Sequence, residues 1–295
     1  MGNIPRIKLP ERIVRYYRPD YLALPEETSI AKAIDRMIWT NLRTIYVNNG
    51  NTLTGVFNLE LARLKLQERN HRKLTSKQLT EIPLKEIMDH YTDNDDRLIG
   101  LRQTLKTAAT RLTNRPYLNE LPVVKKVSTN RVLVGKITIW DILQVLQSKI
   151  DGNIKVKDLA YNDPLKCREN HSLYHVVSLL NLSHQNYNAV IVVDDKETPI
   201  GVIDRYNLPI SIIRQFHSST HWRYGDTFFS EIAFFITAGQ VMSKSFNEVY
   251  EDDDLRKVIS WMIQTRTEVY PVMDRKSKKL TMVISARDII SSLVL

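Results

Sequence analysis

Residues 135–141 read Gly135-Lys136-Ile137-Thr138-Ile139-Trp140-Asp141, and two kinds of pattern meet within them. Upstream, Val132-Leu-Val-Gly-Lys-Ile137 has the make-up of a short apolar strand; downstream, Ile142-Leu-Gln-Val-Leu146 has that of a helix. Thr138 stands at the junction. There a hydroxyl can cap the first free N–H groups, and an anion can meet the positive end of a helix. Asp141 lies one helical turn on, where it completes the hydroxyl-x-x-acid pattern of a helix start. The same carboxylate can accept hydrogen bonds from both hydroxyls of a ribose. The heptad supports two readings: a well-capped helix, or one wall of a nucleoside phosphate site.

The pattern around this heptad occurs four times along the 295 residues. An amphipathic helix spacing is carried by Ile30, Ala33, Ile34 and Met37, then by Leu105, Ala108, Ala109 and Leu112. It recurs as Leu173, Val176, Val177 and Leu180, and as Leu255, Val258, Ile259 and Met262. After each helix comes an apolar strand: Thr44-Ile-Tyr-Val47, Leu121-Pro-Val-Val124, Ala189-Val-Ile-Val-Val193 or Val269-Tyr-Pro-Val-Met273. Polar turns such as Asn48-Asn-Gly-Asn51 and Ser128-Thr-Asn130 lead into a second strand, and a further helix follows. Each copy predicts a helix, an antiparallel hairpin and a helix.

One such unit is too small to bury both faces of its sheet, so copies are expected to pair. The residues just after the second strands, Asn58, Thr138, Asp204 and Ser285, show the grouping: Asn58 and Asp204 are 146 apart, Thr138 and Ser285 are 147 apart. A two-repeat module is used twice. Basic residues 65–85 link the copies of the first module, and aromatic-rich residues 209–238 those of the second. The boundaries are an arm at 1–18, a first pair at 19–149 and a second pair at 150–295.

From about Arg18 to Leu295 the chain resembles the CBS (cystathionine-β-synthase) domain family, whose recognisable element is Gly-apolar-apolar-Thr/Ser-x-x-Asp between last strand and last helix. The second copy matches it at Gly135, Ile137, Thr138 and Asp141, with Lys136 at the first apolar position, and Met282-Val-Ile-Ser-Ala-Arg-Asp288 matches its polar positions. The resemblance implies an α/β fold of four βαββα repeats in two tandem pairs (Bateman modules). It also implies adenine-nucleotide clefts, with AMP, ADP, ATP or another adenosyl ligand as regulator and no obligatory cofactor. Gly135, Thr138, Asp141, Ser285, Arg287 and Asp288 are the expected ligand residues, Arg287 supplying charge to a phosphate. Adenine would rest on the segment leading into each copy, such as Ile87-Met-Asp-His90 or Val241-Met-Ser243. The first copy has Leu61 in place of the carboxylate, and the third has Asp204, which repels a phosphate unless Arg205 or a metal intervenes.

Charge separates the halves. Residues 1–150 hold 25 Lys and Arg against 15 Asp and Glu, and residues 151–295 hold 17 against 18. An anionic partner for the first half is one explanation, solvated surface charge the other. Within the arm, Arg6, Lys8, Arg12, Arg15 and Arg18 are interleaved with Tyr16 and Tyr17, a composition suited to phosphate contact and base stacking in RNA. Lys65, Arg69, Arg72, Lys73 and Lys77 form a second basic run. Packing of the tyrosines on the first pair is the alternative for the arm. Because some archaeal CBS proteins are ribosome-associated hibernation factors, the resemblance is compatible with a ribosomal subunit or structured RNA as partner. The other reading is an energy sensor that regulates a separate enzyme, transporter or transcription protein without RNA. A homodimer through the CBS pairs is a further expectation.

No nucleophile with a positioned base and no phosphate-cradling glycine loop is found, so no catalytic residue is assigned and an enzyme is not expected. The i, i+4 pairs His171 with His175 and His217 with His221 lack a completing carboxylate or cysteine cluster, and no metal is assigned. A single cysteine, Cys167, excludes an internal disulfide framework. With no signal-like start and no run long enough to span a bilayer, a reducing cytoplasm is the expected location.

Overall fold

The computed structural model describes residues 6–40, 42–59, 81–92, 95–115, 118–150, 152–159, 163–182, 188–205, 208 and 236–295. The first repeat runs β1 (Ala23–Pro25), α1 (Ile30–Thr40), β2 (Ile45–Asn49) and β3 (Thr52–Phe57). A lead-in of α2 (Leu84–Ile87) and β4 (Asp89–His90) precedes the second, which continues as β5 (Ile99–Gly100), α3 (Leu105–Thr113), β6 (Glu120–Val127), β7 (Asn130–Thr138) and α4 (Ile139–Lys149). The third repeat contains β8 (Lys166–Cys167), α5 (Leu173–Leu182), β9 (Ala189–Val193) and β10 (Pro199–Asp204). A lead-in α6 (Ala238–Val241) opens the fourth, with β11 (Val249–Tyr250), α7 (Leu255–Thr265), β12 (Val269–Met273), β13 (Leu280–Ser285) and α8 (Ala286–Val294).

Every repeat builds the same small sheet. A short strand lies parallel beside the first hairpin strand, and the hairpin is antiparallel, as in β5-β6-β7 and β8-β9-β10. Each hairpin turn places one residue in left-handed backbone: Gly50 at φ 57°, Ser128 at 54°, Glu197 at 64° and Lys278 at 58°. The fold class expected from the repeats is the one observed. The helices expected after β3 and β10 lie largely outside the described residues. So do the basic run with Lys65, Arg69, Arg72, Lys73 and Lys77, and His217 and His221.

Two kinds of packing join the repeats. Within a pair the sheets meet face to face: Tyr46, Leu53 and Val56 of the first repeat bury against Leu98 and Leu133 of the second. Ala189, Ile191 and Val202 of the third do the same against Val269 and Val283 of the fourth. Between pairs the second and fourth repeats share one core. It gathers Leu105, Ala109 and Leu112 of α3, Ile142 and Leu146 of α4, Val258 and Met262 of α7, and Ile289 and Leu293 of α8. The helical spacing read from the sequence is thus the stripe that closes the inter-pair contact. Leu9 and Ile13 of the arm are fully buried in that same core. Among the described residues no helix is long and apolar enough to cross a membrane.

Candidate functional site

Lead-in segments tie each pair together by crossing onto a strand of the partner repeat. Arg18 and Lys136 of β7 exchange backbone hydrogen bonds of 2.8 Å, while β4 pairs antiparallel with β3, His90 opposite Gly55. In the second pair Ser243 and Val202 of β10 exchange bonds of 2.9 Å. A glycine marks each crossing because a side chain would not fit. A Cβ on Gly55 would stand 2.8 Å from both the Asp89 carbonyl oxygen and Met88 Sδ; on Gly135 it would collide with Tyr17 and the Arg18 carbonyl, and on Gly201 with Met242. The apolar walls expected from residues 87–90 and 241–243 therefore fall on the first and third repeats, not on their own copies. The segment that serves the second repeat is Tyr17-Arg18.

Asp141 is almost fully buried at the start of α4. Its Oδ2 accepts from the Thr138 N–H at 2.8 Å and the Thr138 hydroxyl at 2.6 Å, while its own N–H donates to Thr138 Oγ1 at 3.3 Å. This reciprocal capping box satisfies two of the helix's free donors. The other oxygen, Oδ1, accepts from Arg18 Nε at 2.5 Å. Gly135, Thr138 and Asp141 are brought together as expected, but both oxygens of the carboxylate already have partners.

A cleft of about 450 Å3 opens on the other side of Arg18, between the first and second repeats. Asn58, Tyr46 and Tyr91 line it together with Thr138, Lys136 and Glu120, and Arg205 and Arg266 of the second pair contribute to the lining. Six basic side chains reach it, Arg18, Arg43, Arg97, Lys136, Arg205 and Arg266, against the two acids Asp20 and Glu120. Glu120 accepts from the buried Tyr46 hydroxyl at 2.9 Å and pairs with Lys136 at 3.2 Å. Burial and the Glu120 charge push the Tyr46 phenol well above its ordinary pKa, so it stays a neutral donor. Arg97 is held by Asp89 and Asp95 and lies 4.9 Å over the Tyr91 ring. Arg266 stacks 5.8 Å from Trp140, and burial, then the charge of Arg18, lower its pKa. Among the described residues no carboxylate pairs with Arg43 or Arg266. The cleft lining therefore carries an excess of positive charge.

In the second pair Ser285 and Asp288 cap α8: the Ser285 hydroxyl donates to Asp288 Oδ2 at 2.6 Å and receives the Asp288 N–H at 3.1 Å. Arg287 has a different place from the one expected. Its guanidinium is buried, donates to Glu268 Oε1 at 2.6 Å, and reaches across to the second repeat. There it donates to the carbonyls of Leu112, Arg115 and Leu118 and to Asn119 Oδ1. The first turn of α8 faces the shared core, so this charge joins repeats instead of meeting a phosphate. Asp204 is buried at the end of β10, and the neighbouring Arg205 donates to the Leu180 carbonyl.

The arm divides by side chain. Arg6, Lys8, Arg12 and Arg15 are exposed, whereas Tyr16 and Tyr17 pack against the core and Arg18 is on Asp141. The last three are therefore turned inward, not outward toward a partner's bases. Leu105 N–H and Lys106 N–H donate to the Glu11 and Leu9 carbonyls, and Ile7 N–H to that of Leu293, so the arm spans the second and fourth repeats. His171 and His175 meet edge to face with centroids 4.6 Å apart. Among the described residues no group of three His, Cys, Asp or Glu side chains is placed to hold a metal.

Sequence alone gave no sign of Arg43, Arg97 or Arg266 as cleft residues. Each lies before a strand or after a helix, where local pattern carries no information about which repeat it will face. Gly135 was the one available signal that another segment had to approach β7.

The CBS domain family model matches residues 156–208. The fold of the whole chain is similar to the crystal structure of a Methanocaldococcus jannaschii protein proposed as an archaeal homologue of γ-AMPK, at 18% identity and a TM-score of 0.75, covering 95% of this chain and 99% of that one. It is also similar to an uncharacterized conserved protein from Pyrococcus horikoshii, at 16% identity and a TM-score of 0.57, covering 96% of this chain and 100% of the other. At such identities the likeness is one of fold. No curated protein matches the sequence at a significant level.

Proposed function

With a CBS domain at residues 156–208 and the same strand–helix–hairpin plan in four repeats, we propose that the protein is a regulatory, non-enzymatic binder of adenine nucleotides. The supporting observation is the basic cleft of the first pair, open beside the capped N-terminus of α4. In this reading the base lies against the apolar part of the wall, Val56, Leu59, Leu118 and Pro122. The ribose hydroxyls go to Asp141 and the phosphates to Arg43 and Arg266. Ser285 and Asp288 are the corresponding ligand residues of the second pair. Titration calorimetry with AMP, ADP and ATP, with GMP for comparison, tests it. Binding that weakens at least tenfold in Arg43→Ala and Arg266→Ala supports the assignment, on the scale of one charge-assisted hydrogen bond to phosphate. No binding of any adenine nucleotide at millimolar concentration overturns it.

A ribosomal subunit or structured RNA as partner is a second reading, favoured by the exposed Arg6, Lys8, Arg12 and Arg15 on one segment. It predicts co-sedimentation that falls steeply with salt and is lost when these four are replaced by Glu. Absence of such binding leaves a nucleotide-controlled regulator of a separate protein.

A further inference from the structure

We propose that Arg18 decides which adenosyl compounds the first-pair cleft accepts, admitting those with an anionic phosphate and excluding the bare nucleoside and neutral or cationic analogues. This rests on the nucleotide reading of the cleft. Asp141 Oδ2 is taken twice by Thr138, so Oδ1 is the atom left to receive ribose hydroxyls, and Oδ1 holds Arg18. Arg18 lines the cleft and covers Asp141, which does not. Its backbone is fixed on β7, and its side chain, held by Asp141, is 37% exposed on the cleft side.

Exchange of Arg18 for a ribose separates a cation from a carboxylate that is only 4% exposed. Breaking such a pair is unfavourable unless both charges regain partners. Ribose hydroxyls donate to Asp141 yet cancel no charge, and the displaced guanidinium enters a cleft that already holds Arg43 and Arg266. Of the cleft's two acids, Glu120 already holds Tyr46 and Lys136 and Asp20 acts on Arg266, so an anionic group on the same ligand completes the exchange, accepting from Arg18 as the ribose takes its place. Adenosine and a thioether nucleoside lack that group, and a sulfonium nucleoside adds charge of the wrong sign.

The test is calorimetric titration of the full chain and of Arg18→Met with AMP, adenosine and 5′-methylthioadenosine. The wild type is expected to prefer AMP strongly. In Arg18→Met, AMP weakens and adenosine tightens, each by about tenfold, so the preference collapses. An AMP-to-adenosine ratio unchanged by the substitution overturns the role of Arg18 while leaving the nucleotide reading intact. Failure of every protein to bind any of the three overturns that reading, and this one with it. If Arg18→Met does not fold, Arg18→Gln, which keeps a neutral donor toward Asp141, is read by the same criterion.

Discussion

Arg287 Nε and Glu268 Oε1 form an ion pair of 2.6 Å whose side chains are 6% and 1% exposed. Asn188 Nδ2 reaches the same carboxylate at 3.1 Å, and the guanidinium continues to the carbonyls of the second repeat. One ion pair thus connects three repeats. Removing one partner of a buried pair leaves an uncompensated charge, at a cost of about 3–5 kcal/mol. Arg287→Met is expected to lower the unfolding free energy obtained from urea denaturation by that amount. Adding Glu268→Gln should recover part of the loss. Additive losses in the double variant would show that the two side chains do not act as a pair.

Gly55 is expected to tolerate no side chain. The Asp89 carbonyl that a Cβ would meet at 2.8 Å is backbone, so relief requires β4 to move off β3. Overpacking of this kind costs about 1–3 kcal/mol, so Gly55→Ala should melt lower by several degrees. Gly100→Ala is the comparison, since its Cβ would find nothing closer than 3.8 Å. Its melting temperature should match the wild type.

These glycines also show what was legible in the sequence. The hairpins, α1, α3, α7 and the caps at Thr138 and Ser285 follow from local alternation, helical spacing and cap chemistry, and each is found where expected. Gly135 indicated that something packs tightly on β7, but no local feature names the segment over a hundred residues upstream that does so. The arm was open to two readings for the same reason. Its composition is basic and aromatic, yet Leu9 and Ile13, four residues apart, are what anchor it. Arg287 shows the converse: a charge beside a cap looks available for a ligand until the face of α8 that carries it is known to lie against α3.

The arm should be needed for folding, and its exposed charges should not. Leu9→Ala removes a fully buried side chain from the core shared by the second and fourth repeats, at a cost of about 2–5 kcal/mol. Arg12→Glu alters an exposed position and should leave stability within about 0.5 kcal/mol. Denaturation curves of the two variants separate these contributions. Equal stability of Leu9→Ala and wild type would mean that the arm is detached in solution. Deleting the arm is consequently a poor probe of RNA binding, because it removes core as well as charge.

Acid should loosen the cleft through Asp95. Its carboxylate accepts from Arg97 Nε at 2.8 Å, from Arg97 Nη2 at 2.5 Å and from the Arg97 N–H at 2.9 Å. Burial is the largest single influence and opposes ionisation, but the bonds from Arg97 together outweigh it and hold the pKa below the usual aspartate value. The unfolded chain therefore binds more protons than the folded one across this window, and stability rises with pH there. The contribution is complete above the unfolded pKa of about 3.9 and is lost as pH falls through the lower folded value. Arg97 also braces Asp89 and covers Tyr91 in the cleft wall, so its release should reach the ligand site. Urea midpoints measured from pH 7 to pH 3 should fall at the acid end, and in Asp95→Asn that fall should be shallower from a lower starting value. Parallel curves for the two proteins would show that the acid response arises from other carboxylates.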